Sequence, residues 1–497
     1  MNRNRLFILC ACVLWAASAL TLKAQEGLPV LRVAFDGIFE RNMSYVNGTM
    51  SLTDVDGAVV ELPAKFKTRG ATAQQYMMKP SFNMKLRTAD YSEEADSALL
   101  GMRSCSSWIL DAMAIDRICM RNRVAFDIWN EFSTLPYETD FNGRNGTEGR
   151  FVEVYINDTY YGIYCLSDRI NRKLLNLKKV KIGNDGQPIL RGVLYKSGTT
   201  DIADQDSPSY SDDYTACVVQ WHDAWELTYP EEYACEAVWA PLQNAILNGT
   251  SADYVKRYFY LDNLAAYQIH VMALSIVDNW GNKNRFVSIR NMNKDINDPD
   301  PTESDRRRMV LTPWDLDTSL GGQYNGSCYD GHYTEWPVTD VAKNSPYPIG
   351  PVCADAEYLA VLKQKWVEGR AGAFSIANVN AKLEAYRDLF IKSGAWQRMT
   401  DHFEAKPASE RPAYVIDLDR EIQLVEAWYA SRFHEMDTFF GISDAIEAPA
   451  YATASAPSFT YDLAGRRVDN EARPTSAAPK QLPKGIYIRR GKKFVVW

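Results

Sequence analysis

Apolar and polar positions alternate along Val30 to Phe35, Gly48 to Leu52 and Ala58 to Leu62, with Asn-Gly and Asp-Gly pairs between the runs. This period-two pattern broken by turn formers predicts short β-strands, and Lys65 to Arg69 and Ser81 to Leu86 continue it. From about Ile115 to Phe132 the apolar spacing changes to that of a helix. A hairpin follows, Phe151 to Ile156 and Thr159 to Cys165 around Asn157-Asp158. Asp201 to Asp213 is acidic, contains serine and reads as a loop. Helical spacing then returns in Glu231 to Leu247 and in Ala252 to Val277, the latter apolar nearly all round from Leu261 and so expected to be buried. Further helices are expected near Ala354 to Glu368, Ile376 to Phe390 and Arg420 to Phe440. Strands first and helices later predict an α+β fold with a β-rich N-terminal part and a helical C-terminal part, the two-lobed layout of a protein kinase.

After Ile446, Ala, Pro, Ser and Thr dominate up to Ser458, a linker composition. Short strand patterns return in Ser458 to Val468 and Gly485 to Trp497. Arg3 and Arg5 precede an apolar run from Leu6 to Leu20 that ends in small residues at Ala24, the pattern of an export signal. The expected organisation is thus a signal peptide over 1–24, a main domain over 25–445, a linker over 446–457 and a small β-rich tail over 458–497. A stable membrane span is not expected, because that run is too short.

Composition narrows the function. With 46% apolar and 12% aromatic residues, the 497-residue chain can bury a large core. Its net charge of -8 argues against a nucleic-acid partner, which would require a basic face. The mature region has seven cysteines and no Cys-x-x-Cys spacing, so neither a zinc site nor a thioredoxin motif is indicated. They read as buried small hydrophobes, with Cys328 and Cys353 the one pair considered for a disulfide. Zincin, nucleophile-elbow and P-loop motifs are all absent from the sequence. His270, inside the apolar helix, reads as a core histidine.

The chemistry concentrates in two stretches, Asp278-Asn279-Trp280-Gly281-Asn282-Lys283-Asn284 and Pro313-Trp314-Asp315-Leu316-Asp317. Two carboxylates two residues apart in extended chain would face the same side. With Asp278 and Asn284 they supply the hard oxygen donors that a Mg²⁺-nucleotide site needs. Upstream, Arg69, Lys79 and Lys85 surround a glycine-containing turn and a strand, a placement suited to phosphate contacts. The hairpin ends Leu166-Ser167-Asp168-Arg169, where a kinase layout puts the hinge that meets adenine.

In their order these pieces resemble the spore-coat protein H (CotH) kinase family, secreted atypical protein kinases. The carrying segments are Arg69-Gly70 with Lys79-Pro80-Ser81-Phe82-Asn83-Met84-Lys85-Leu86, Leu99-Leu100-Gly101 with Trp108-Ile109-Leu110 and Arg121-Asn122, the hairpin with Tyr161-Gly162-Ile163-Tyr164, and the two acidic stretches with Gly321. The tail, with Tyr461-Asp462-Leu463-Ala464-Gly465, resembles C-terminal β modules of exported Bacteroidetes proteins, some of them sorting signals. The family resemblance implies transfer of the γ-phosphoryl group of ATP, with Mg²⁺ or Mn²⁺, to a Ser or Thr hydroxyl of a protein substrate. By that resemblance Asp278 is catalytic, orienting or deprotonating the acceptor. Asn284, Asp315 and Asp317 hold the metal, either Asp being the main ligand. Lys79 or Lys85 with Arg69 meets the phosphates, and Asp168 lies at the hinge. Departures stand at Ala71, Thr72, Met78 and Asp168, where the family pattern has Asn, Ser, Lys and Glu. The loss of the Asn-Ser pair, and the scarcity of ATP outside the cytoplasm, leave open a catalytically silent ATP-binding or structural relative. Transfer to a non-protein acceptor is a third reading, and the oligomeric state is left open.

Overall fold

Along β1 (Val30–Phe35), Leu31, Val33 and Phe35 are buried while Arg32 and Ala34 face solvent. The same alternation runs through β4 (Phe82–Leu86) and much of β2 (Val46–Thr53) and β3 (Val59–Thr68), whereas β5 (Ser107–Asp111), β6 (Gly149–Ile156) and β7 (Thr159–Asp168) carry continuous buried runs. These strands close into a barrel in the order β1-β2-β3-β4-β5-β7-β6, with β1 and β6 parallel at the seam. Closure removes the free edges that an open sheet would expose. Its interior is filled by Leu31, Phe66, Phe82, Met84, Trp108 and Tyr164, each at most 1% exposed. Burying such a side chain contributes about 1.5–3 kcal/mol. Gly48 is required where β1 and β2 approach most closely, since a Cβ there would lie 2.3 Å from the Ala34 carbonyl oxygen.

A computed structural model describes residues 27–70, 74, 76–137, 143–198, 213–221, 223–276, 279, 284–323, 337–343, 348–442, 460–462, 485–489 and 492–496. The chain divides into two compact units, Met1–Gly441 and Ile442–Trp497. In the first, α1 (Arg121–Phe132) lies between β5 and β6 in sequence. The expected helix from Ile115 starts later because the Asp116 carboxylate gathers the N–H groups of Ile118, Met120 and Arg121 at 3.1, 2.8 and 2.7 Å. In the β6–β7 hairpin, Asn157 and Asp158 form the two-residue turn, both at positive φ.

After a two-residue ribbon, β8 (Lys181–Ile182) with β9 (Pro188–Ile189), comes an element the sequence pattern did not announce. Strands β10 (Val193–Ser197), β11 (Val218–Trp221), β12 (Asp223–Tyr229), β13 (Arg285–Ile289) and β14 (Met309–Pro313) form a five-stranded antiparallel sheet in the order β11-β12-β10-β13-β14. The helices α2 (Glu236–Asn248), α3 (Ala252–Tyr258) and α4 (Leu261–Leu274) interrupt it in sequence, as does α5 (Pro301–Asp305). One helix was expected over Ala252 to Val277. It divides because the outer edge of β14 claims its middle: Phe259 bridges Met309, and the Tyr260 N–H donates to the Met309 carbonyl at 3.0 Å. The rest of that edge is satisfied by side-chain amides. Asn263 accepts the Leu311 N–H at 2.6 Å and donates back to its carbonyl at 2.9 Å, imitating a neighbouring strand. Asn145 adds a donation to the same carbonyl at 3.0 Å.

The chain continues through α6 (Val338–Lys343), α7 (Ala356–Ala371), α8 (Ile376–Lys392), α9 (Ala395–Glu404) and α10 (Leu418–Phe440). The expected α+β class therefore holds, strand-rich first and helical later, with the first sheet closed and a second sheet added. No helix among the described residues is long and apolar enough to cross a membrane. Cys105, Cys119 and Cys165 are buried thiols, whereas Cys217 is exposed. Cys353 is a free thiol, so the disulfide considered for it is not formed; Cys328 lies outside the described residues. In the second unit, β15 (Thr460–Asp462), β16 (Gly485–Arg489) and β17 (Lys492–Val496) make an antiparallel sheet.

His270 sits fully buried on α4, its Nε2 2.9 Å from the Ala125 carbonyl and its ring 5.1 Å from that of Trp129. Burial pushes its pKa down from 6.5 to about 4, so the ring is neutral and Nε2 is the donor. Because the folded state binds this proton more weakly than the unfolded one, the contribution to stability is complete above pH 6.5 and is lost as pH falls toward 4. Melting curves across this range are expected to show Tm falling with acidification, and less steeply in His270→Gln.

Candidate active site

Strands β5 and β7 turn their outer faces toward a small cleft. Arg69, Ile109, Asp111, Asn122, Cys165, Ser167, Trp314 and Asp315 line it. Directly paired residues share a face, which is why Ile109 and Ser167, partners across β5 and β7, both reach it. The opposite wall comes from the loop after β14. The Arg69 guanidinium spans between the two, stacked 5.4 Å from the centre of the Trp314 ring.

The acidic loop begins where β14 ends, at Pro313. Asp315 is left-handed, with φ of 59°, and Thr318 follows in a turn. The simple alternation expected for Asp315 and Asp317 therefore does not apply, since the extended chain stops before them. Asn284, just before β13, is also left-handed at 59°, and its carbonyl accepts the Trp314 N–H at 2.9 Å. Asn and Asp tolerate this conformation better than other side chains. The ends of β13 and β14 thus bring the backbones of Asn284 and Trp314 side by side, with Asp315 next in the chain and Asp317 half-buried two residues further on.

Two buried or half-buried amides fix that arrangement. Asn279, 1% exposed, donates to the carbonyls of Asn284 and Trp314 at 3.0 and 2.9 Å. Asn122, in the first turn of α1, donates to the Asp111 carboxylate at 2.8 Å and accepts the Leu316 N–H at 3.1 Å. Arg121 beside it donates to the Leu320 carbonyl at 3.4 Å and pairs with Asp116 at 2.5 Å. The start of α1 therefore holds both the end of β5 and the acidic loop. Asp111, Asn122 and Asn279 carried no assigned role in the sequence reading. Polar residues at the start of a helix or the end of a strand are ordinary there, and only their contacts across the fold distinguish them.

The other expected residues lie apart from this cluster. Lys79 is 1% exposed, and its amine faces the sulfurs of Met399 at 3.6 Å and Cys119 at 4.0 Å and the Tyr164 ring at 5.3 Å. Burial drives its pKa down, opposed by Cys119, Asp111 and Asp116. Lys85 is on the outer face of β4, 3.9 Å from Glu94 and 5.1 Å from the centre of the Tyr45 ring. Asp168 is fully buried, its carboxylate held by Arg103 at 2.5 Å, Arg144 at 3.2 Å and the Glu148 N–H at 2.8 Å. Burial raises its pKa against those arginines. The cleft is reached instead by its neighbour Ser167. Asp278 lies outside the described residues. Burial pushes the Cys165 thiol up to about 12, which keeps it protonated and unsuited to act as a nucleophile.

Among the described residues no three His, Cys, Asp or Glu cluster as a metal site. The carboxylates that line the cleft are Asp111 and Asp315, hard oxygen donors that suit Mg²⁺ or Mn²⁺ better than a thiophilic metal.

An α+β protein with a cleft between a barrel face and an acidic loop, bordered by guanidinium groups, is the class that fold and site define. The family model described as CotH kinase protein matches residues 66–433. The chain belongs to the CotH kinase protein family, and membership points to an atypical kinase-like transferase. No curated protein matches the chain.

Proposed function

We propose that the protein transfers the γ-phosphoryl group of ATP to Ser or Thr hydroxyls of a protein substrate. The observation that carries this reading is the loop after β14, which the Asn284 carbonyl anchors through the Trp314 N–H and which presents Asp315 to Arg69 across one cleft. Phosphoryl transfer requires positioning and charge compensation more than covalent participation by the protein. Bound Mg²⁺ or Mn²⁺ would neutralise phosphate charge there. Asn284, Asp315 and Asp317 would hold it, with Arg69 as the guanidinium that meets phosphate oxygens. Asp278, adjacent to the buried Asn279, is assigned the acceptor hydroxyl, which it orients or deprotonates. Lys85 is a second phosphate contact if its weak exposed pair with Glu94 opens. Lys79 and Asp168 would act by shaping the site, since both side chains are enclosed. The two-lobed kinase arrangement, with the barrel as first lobe, is part of the same proposal. So is export: the segment ending at Ala24 and the β tail fit a secreted or surface protein of Bacteroidetes type.

One observation favours the second reading, a catalytically silent nucleotide-binding relative. No lysine lines the cleft among the described residues, and a kinase normally places one against the phosphates. Incubation of the full chain with γ-labelled ATP, Mg²⁺ or Mn²⁺ and a serine-containing test protein separates the two. Label on the protein or the acceptor supports transfer. Nucleotide binding without label in any metal supports the silent reading.

A further inference from the structure

The cleft floor does not stop at Arg69. On β3, Lys67 and Lys65 follow it at alternate positions, so all three side chains share the outer face. Lys67 pairs with Asn83, Asn83 with Ile109 and Ile109 with Ser167, a continuous row whose last two members line the cleft. In the next row Lys65 lies directly opposite Lys85. Like charges so placed destabilise a sheet, and little in the fold compensates them. Lys65 and Lys67 form no ion pair with any described carboxylate. Lys85 meets Glu94 at 3.9 Å, but Glu94 is shared with Arg87 at 3.9 Å and with the Ser106 hydroxyl at 2.7 Å. Glu231, on the turn after β12, also lies within the field of Lys85. The Tyr45 ring lies 5.1 Å from the Lys85 amine and 6.0 Å from that of Lys67, a cation–π contact that carries no counter-charge. On a chain of net charge -8 this is a local reversal of sign.

We propose that this row, Lys65, Lys67 and Lys85 leading to Arg69, is the docking surface for an acidic stretch of the protein acceptor, flanking the hydroxyl that enters the cleft. The spacing supports a polypeptide. Alternate residues of an extended strand recur at about 6.5 Å, so acidic side chains at every second position of an extended acceptor match Lys65 and Lys67 in turn on the way to the cleft. A nucleic acid fits less well, since the protein is acidic overall. The proposal rests on the kinase reading for its hydroxyl, but the docking itself is measurable without turnover.

The test uses the full chain and the variant Lys65→Glu/Lys67→Glu, whose altered side chains lie outside the catalytic cluster. Melting curves check that the variant folds. Binding of two fluorescent serine peptides, one with Asp and Glu at alternate positions and one with Lys there, is followed by anisotropy without nucleotide. The acidic peptide is expected to bind the native protein more tightly, with affinity falling as salt rises, and at least about tenfold more weakly to the variant. Where transfer occurs, KM for the acidic peptide rises in the variant while KM for ATP and kcat stay unchanged. Salt-dependent acidic-peptide binding without any transfer would support the surface and remove the kinase reading. Equal binding of both peptides, no loss in the variant, a change confined to KM for ATP, or tighter binding of a single-stranded oligonucleotide would each overturn the proposal.

Discussion

Asp315→Asn is expected to reduce phosphoryl transfer by about 10²-fold or more while leaving the melting temperature close to that of the native protein. Asparagine accepts the left-handed conformation that Asp315 adopts, so the loop and its Leu316 bond to Asn122 are retained. What is lost is the negative charge that Asp315 brings to the cleft, and with it the affinity of the oxygen set for a divalent cation. Asp317→Asn is expected to lose activity in the same way, and the larger of the two losses identifies the main ligand. Asp278→Ala is expected to abolish transfer with nucleotide binding retained. Initial rates with γ-labelled ATP at several metal concentrations measure all three. Activity recovering at high metal would place a residue at the metal, whereas a loss unaffected by metal would place it at the acceptor.

The largest effect on stability is expected outside the cleft, at Asp116. Its carboxylate, 3% exposed, accepts three backbone N–H groups ahead of α1 and pairs with the guanidinium of Arg121, itself 1% exposed. Removing one partner of a buried pair leaves a charge without its counterion and costs about 3–5 kcal/mol. Asp116→Ala should therefore lower the urea midpoint strongly. Because Arg121 also reaches the Leu320 carbonyl, the acidic loop should loosen and activity should fall as well. The double variant Asp116→Ala/Arg121→Met separates the causes, since without the guanidinium the penalty should be smaller than in Asp116→Ala alone. An Asp116→Ala protein as stable as the native one would show that this pair does not organise α1.

Local patterning was enough for elements that face water on one side. β1 runs over Val30–Phe35 as its alternation requires, and the Asn157-Asp158 hairpin needs no information beyond its turn. It was insufficient wherever a distant backbone intervenes. The helix expected over Ala252 to Val277 is locally well formed, but β14 draws Tyr260 out of it. The same limit applies at the site. Residue types and order singled out Asp315 and Arg69, both of which line one cleft. The amides that hold the acidic loop, Asn122 and Asn279, are defined by bonds between segments far apart in the chain. Charge alone likewise could not separate Lys79, enclosed among sulfurs, from Arg69 at the cleft. Nor could it separate the buried Asp168 from the half-exposed Asp315.

The central claim is that this cleft binds a metal nucleotide, and a thermal shift titration tests it most directly. The native chain and Asp315→Asn are melted with ATP alone, metal alone and both together, using Mg²⁺ and Mn²⁺ in turn. A ligand specific for the folded state adds about 2.7 kcal/mol at a hundredfold excess over its Kd, enough to move Tm by a few degrees. The expected result is a shift in the native protein that requires ATP and metal together and is largely lost in Asp315→Asn. A native protein whose Tm is unmoved by every combination of nucleotide and metal would contradict the account.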